Sequence, residues 1–194
     1  MVELETYIFI GRSGCGKGTQ AKIIVDRLRA SNERPILYLE TGERFRSFVA
    51  SDSYSSKLAK DIMAKADRQP DFLAVWTWSS TLVEKFTGNE HLIFDGTPRS
   101  LKEAKMLDTA MKFYGRQNVN VIYLDISRQT AKDRMINRGR NDDHLDDIEK
   151  RLDWFDRDVL PAVEYYRQQV GYNLVVVNGD QSVEEVTEEI ISKL

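Results

Sequence analysis

The chain has 194 residues, 41% hydrophobic and 30% charged, with a formal net charge of −3, which suits one globular core with small insertions and excludes the strongly basic footprint of a general nucleic-acid binder. Its single cysteine, Cys15, excludes an internal disulfide and a four-cysteine zinc site and points to a reducing compartment. The acidic start Met1-Val2-Glu3-Leu4-Glu5 lacks the basic region of a secretion signal, and no uncharged apolar run approaches the roughly 18 residues of a membrane helix, so a cytoplasmic protein without membrane partners is expected.

In chain order, the apolar run 7–10 predicts a first strand. A helix follows from Lys17 to about Ala30, with Ala21, Ile24, Val25 and Leu28 on one face. Residues 36–39 predict a second strand. Residues 41–69 read as helical but polar. Residues 70–86 combine Pro70 at a helix start with the β-prone run Ala74-Val75-Trp76-Thr77-Trp78; periodicity leaves both states open, and a length of about 17 residues favours helix. A third strand over 91–94 precedes a helix over 101–113. A fourth strand over 119–124 precedes a helix over 129–137. One long helix is expected from about Leu145 to Gln169, then a strand over 174–177. Ser182-Val183-Glu184-Glu185 is a capping box opening a last helix, in which Val183, Val186, Ile190 and Leu194 recur at helical spacing. Short apolar strands alternating with amphipathic helices predict an α/β fold, a five-stranded parallel sheet covered on both faces.

Between the first strand and the first helix stands Gly11-Arg12-Ser13-Gly14-Cys15-Gly16-Lys17-Gly18-Thr19. That context is the one a phosphate-binding P-loop requires. Glycines leave room for backbone N–H groups to turn inward around phosphate oxygens, the helix N-terminus adds its positive dipole end, and Lys17 adds a full charge. Gly11, Ser13, Gly14, Cys15, Gly16, Lys17, Gly18 and Thr19 are therefore the candidate triphosphate site. The usual Ser or Thr after the lysine is replaced by Gly18. Further on, Arg134 and Arg138 share one helix face, where like charges repel unless an anion lies between them.

The run Gly16-Lys17-Gly18-Thr19-Gln20 resembles the adenylate kinase family's version of the loop, and the likeness continues through most of the chain, weakest over residues 50–90. It implies a P-loop NTPase fold with a helical monophosphate-binding insertion at about 41–70 and a very short lid at about 138–144. It implies transfer of the γ-phosphoryl of Mg²⁺-ATP to a nucleoside monophosphate. Thr41-Gly42-Glu43-Arg44-Phe45-Arg46 is similar to the segment opening the monophosphate site. By that match Thr41 lies near the acceptor base and Arg46 grips its phosphate. Asp95-Gly96-Thr97-Pro98-Arg99 resembles Asp-Gly-Phe-Pro-Arg; Asp95 then holds magnesium through water, and Arg99 is the second clamp on the acceptor phosphate. Arg134 matches the arginine that stacks on the ATP base. Arg138, Arg140 and Arg151 match those surrounding the moving phosphoryl group. With only Gly139 between Arg138 and Arg140, the expected lid is minimal and zinc-free.

Two departures leave the acceptor open. Glu103 stands where adenylate kinases carry Gln; a carboxylate only accepts hydrogen bonds, which suits guanine, uracil or thymine edges better than adenine. It also completes the capping-box pattern Ser100-Leu101-Lys102-Glu103, so it could simply hold a helix start. Arg68-Gln69 replaces an apolar pair. AMP is the favoured acceptor, the alternatives being GMP, UMP or dTMP, or a P-loop regulator that binds nucleotide without turnover. His91 and His144 lack partners at metal-ligand spacing and are read as structural, as are Trp76, Trp78 and Trp154.

Overall fold

The structure, a computed structural model, describes residues 4–139 and 144–194. Arg140 and the Asn141-Asp142-Asp143 part of the expected lid lie outside the described residues.

The five apolar runs form β1 (Thr6–Gly11), β2 (Ile36–Glu40), β3 (His91–Asp95), β4 (Val119–Asp125) and β5 (Tyr172–Asn178), each slightly longer than the sequence suggested. They pair in parallel in the order β2-β3-β1-β4-β5. Side chains alternate across the sheet. Tyr7 and Phe9 enter one core with Ile24, Leu28, Ile122, Val175 and Ile190. Ile8 and Ile10 enter the other with Trp78, Leu92, Phe94, Leu107 and Tyr166. Burial on both faces explains why these strands read as continuous apolar runs.

The first face is covered by α1 (Lys17–Ser31) and, at the chain's end, by a helix over Val183–Lys193. The segment 41–69 holds α2 (Thr41–Val49) and α3 (Tyr54–Ala64), the latter capped by the Ser53 hydroxyl accepting from Ser56 N–H. The ambiguous run is helical: α4 (Asp71–Lys85) starts after Pro70 and buries Leu73, Thr77, Trp78 and Leu82 at helical spacing. Pro70 lacks a donor, which a helix start does not need, and tertiary packing overrides the strand preference of the aromatic run. Then come α5 (Leu101–Phe113) and α6 (Arg128–Arg138), capped by Ser100 and Ser127.

The long helix expected over 145–169 is interrupted. It divides into α7 (Leu145–Trp154), a π turn (Phe155–Val159) and α8 (Leu160–Arg167). Leu160 N–H donates to the Phe155 carbonyl, a five-residue step. Pro161 has no N–H to offer and its ring crowds the carbonyl four residues before it, so a widened turn relieves the clash. The last helix, α9 (Val183–Lys193), carries the predicted capping box in full.

His91 begins β3 fully buried; its Nδ1 accepts from Glu5 N–H at 3.0 Å and its Nε2 lies 3.0 Å from Asn32 Oδ1. This arrangement fits a neutral ring, and burial lowers its pKa below the usual imidazole value, with Arg116 and Arg34 adding to the effect and Glu5 opposing it. The unfolded chain thus binds a proton that the folded chain resists. The contribution is present above the unfolded pKa of about 6.5 and is lost as pH falls through the lower folded value. Thermal melts from pH 7.5 to 5 should show a falling midpoint, and His91→Gln should flatten that slope.

Candidate active site

At the carboxyl edge of β1 the chain turns sharply before α1. Gly16, at φ +95°, forms the N-cap of α1, a left-handed conformation that glycine adopts without strain. Gly14 needs glycine for space as well: a Cβ there would lie 2.9 Å from the Ala131 carbonyl oxygen of α6. Lys17 Nζ donates to the carbonyls of Gly11 at 2.6 Å and Arg12 at 2.9 Å. Ser13, Gly14, Gly16, Lys17, Gly18 and Thr19 line one cleft together with Arg134. Gly11 and Cys15 shape the loop from behind: a Cβ on Gly11 would come within 2.6 Å of both the buried Cys15 Sγ and the Leu124 carbonyl.

Asp95 ends β3 on the wall of this cleft, where its Oδ2 accepts from the Tyr38 hydroxyl at 2.9 Å. A Cβ on Gly18 would sit 3.2 Å from the same oxygen, so the glycine after the lysine gives the carboxylate its room. Glu40 ends β2 directly opposite Asp95 in the sheet register and lines the cleft too. Burial, then the charges of Asp95 and Glu43, push the Glu40 pKa up, while Arg46 and Lys22 oppose. Glu40 and Lys22 escaped the sequence reading. The signal available was the position of Glu40 at a strand's carboxyl end, where ligands gather in parallel sheets.

A second cavity adjoins the first. Thr41, Arg46, Arg99, Glu103, Arg138 and Arg151 all line it, and Ser13, Arg46, Arg99 and Arg138 line both. The Thr41 hydroxyl donates to the Asp95 carbonyl at 3.0 Å, fastening the start of α2 to the end of β3. Arg99 Nε donates to the Gly96 carbonyl at 2.9 Å. Arg99 is exposed to the cleft, while the protein atoms around it partly strip its guanidinium of water. That desolvation lowers its pKa, Arg151 and Arg46 add to the effect, and Glu103 and Asp95 counter it. Mutually repelling guanidinium groups around one cavity make a receptor for an anion.

Glu103 is buried, and both its oxygens are engaged: one accepts from the Thr97 hydroxyl at 2.5 Å, the other from Arg99 N–H at 2.6 Å. Ser100 Oγ accepts from Glu103 N–H at 3.1 Å, so half the expected capping box forms while the carboxylate reaches one residue further back. Burial pushes its pKa up against the pull of these bonds and of Arg99 and Arg68. Thr97, in place of an aromatic, is buried and tied to Glu103 rather than loosely packed. Trp154 also lines the second cavity, three residues after Arg151 on α7; that spacing was the available signal. Among the described residues no group of three or more His, Cys, Asp or Glu side chains could cage a metal, and no helix is long and apolar enough to cross a membrane.

A parallel sheet in this order, with a glycine loop opening α1 at its carboxyl edge, defines a P-loop NTPase fold, and two joined anion-receptive clefts define a phosphotransferase within it. The sequence profile of the adenylate kinase family matches residues 9–171. An adenylate kinase 1 from Nostoc sp. is 31% identical over 96% of this chain and 97% of its own length. An adenylate kinase from Oenococcus oeni is 32% identical over 91% of each chain, and one from Leptospira biflexa is 31% identical over 98% of this chain and 100% of its own. The chain belongs to the adenylate kinase family, and it is a nucleoside monophosphate kinase of that type.

Proposed function

We propose that the chain transfers the γ-phosphoryl of ATP reversibly to AMP, giving two ADP, in the cytoplasm. The observation that carries this reading is the continuity of the two clefts. Lys17 stands in one, Arg151 in the other, and Ser13, Arg46, Arg99 and Arg138 belong to both. The triphosphate lies along the loop amides of residues 13–19 with Lys17 against its terminal phosphates, and the donor base rests on Arg134. The monophosphate enters between α2 and α5 with its phosphate held by Arg46 and Arg99. An acceptor phosphate oxygen attacks the γ-phosphorus as the bond to the bridging oxygen breaks, and ADP leaves. Arg138 and Arg151, joined by Arg140, stabilise charge on the moving group, and no side chain need move a proton.

Asp95 fits a magnesium ion held through water. Its carboxylate accepts one bond from Tyr38, and Gly18 leaves the space before it clear. Asp95 is the carboxylate that would hold this hard, oxygen-preferring cation. Bound there, the metal would offset phosphate charge. The proposed acceptor insertion is residues 41–70 and the proposed lid residues 138–144. AMP remains the acceptor because Glu103 is occupied by Thr97 and Arg99, which supports a loop anchor rather than a guanine reader. A coupled assay of ADP formation with ATP and each monophosphate tests this: AMP should be consumed fastest, and a preference for GMP, UMP or dTMP would replace it.

A further inference from the structure

The P-loop needs no side chain at its second position to cradle phosphate with backbone amides, yet Arg12 there makes three hydrogen bonds and a ring contact to other parts of the chain. Its side chain is 12% exposed, and its guanidinium lies 4.9 Å from the centre of the Phe155 ring. Nη1 donates to the Ile126 carbonyl at 2.8 Å and to Asp125 at 3.2 Å, and Nη2 donates to Asp156 Oδ1 at 2.6 Å. The other oxygen of Asp156 accepts from Arg128 Nη1 of α6 at 2.8 Å. One carboxylate in the π turn therefore joins the phosphate loop to the helix that carries Arg134 and Arg138.

The π turn is also where the α7–α8 segment changes sides. Ile148 and Leu152 belong to the first core, Phe155, Val159 and Val163 to the second. Arg151 and Trp154, at the acceptor cavity, stand immediately before it. Trp154 and Phe155 line a small cavity together with Gly11 and Lys17. A widened turn leaves the direction of the preceding helix poorly set by local hydrogen bonds. Something must fix it, and the planar fork of Arg12, spanning three acceptors on two elements, is suited to that task where a lysine would not be.

We propose that Arg12 and Asp156 are positioning residues for phosphoryl transfer: their ion pair fixes the π turn against the P-loop and so sets Arg151 and Trp154 at the right distance from Lys17. This rests on the kinase reading above. Neither residue lines the two clefts, so loss of the pair should lower turnover with little change in binding.

The test is steady-state ADP formation by the full chain, with thermal melts, for Arg12→Gln, Asp156→Asn and the double variant. Each single change should lower kcat about tenfold, within the range a sub-ångström to 1 Å misplacement produces, with both KM values within about twofold of the parent. The double variant should lose less than the product of the two single losses, because both changes break the same Arg12–Asp156 bond while each also removes contacts of its own. Arg12→Lys should not restore kcat. If Arg12→Gln fails to fold, the nearly isosteric Asp156→Asn decides. Full kcat with only a lower melting temperature, or losses that multiply in the double variant, would overturn the inference. An unmodified chain that forms no ADP would instead refute the kinase reading.

Discussion

Lys17→Met should lower kcat by about a thousandfold, the scale on which removal of one fixed cationic group acts in phosphoryl transfer. In the structure the Nζ already sits at the mouth of α1, bonded to the carbonyls of Gly11 and Arg12. A flexible four-carbon stem lets the ammonium exchange those oxygens for phosphate oxygens without moving the loop. Methionine keeps the length and apolar stem but offers no charge. Each lost bond to a backbone carbonyl is worth about 1 kcal/mol, so the fold should survive. Turnover by coupled assay and a thermal melt read the two effects separately. Activity within tenfold of the parent would show that the ammonium does not meet the transferring group.

Much of this site was legible because its parts are local. The loop, the two Asp/Glu-Gly-containing segments and the paired arginines of α6 are runs whose spacing fixes their geometry. The sheet was legible because burial on both faces leaves continuous apolar strands. The π turn was not, since residues 145–169 keep helical spacing up to the turn and after it; only Pro161 marks the strain, and a proline can equally well kink a regular helix. Glu40 beside Asp95 depends on β2 pairing with β3, a long-range register no local pattern states.

Thr97 and Glu103 show a different limit. Each is by itself a departure from the family's pattern, a threonine where an aromatic stands and a carboxylate where an amide stands. Together they form one buried bond, in which the threonine hydroxyl satisfies a carboxylate that would otherwise be costly to bury. The pair also holds Arg99, whose N–H donates to Glu103 at 2.6 Å.

That anchoring makes Arg99 the acceptor-side residue with the largest expected effect. Arg99→Met should lower kcat/KM for the monophosphate by about a hundredfold or more, as expected when a charge-assisted contact to a reacting phosphate is removed. Its backbone bond to Glu103 survives the change, so the loop should keep its shape. Relief of repulsion with Arg46 and Arg151 will offset part of any stability lost with the Gly96 contact. ATP affinity, measured by calorimetry without acceptor, should change little, because the proposed triphosphate site is the loop amides and Lys17. Arg46→Met should behave alike but more mildly, since its side chain is 48% exposed and paired only at 3.5 Å with Glu40. The discriminating result is the split between the two substrates. If ATP affinity fell in step with acceptor efficiency, Arg99 would belong to the donor's phosphates, and the division of labour between the two clefts would have to be redrawn.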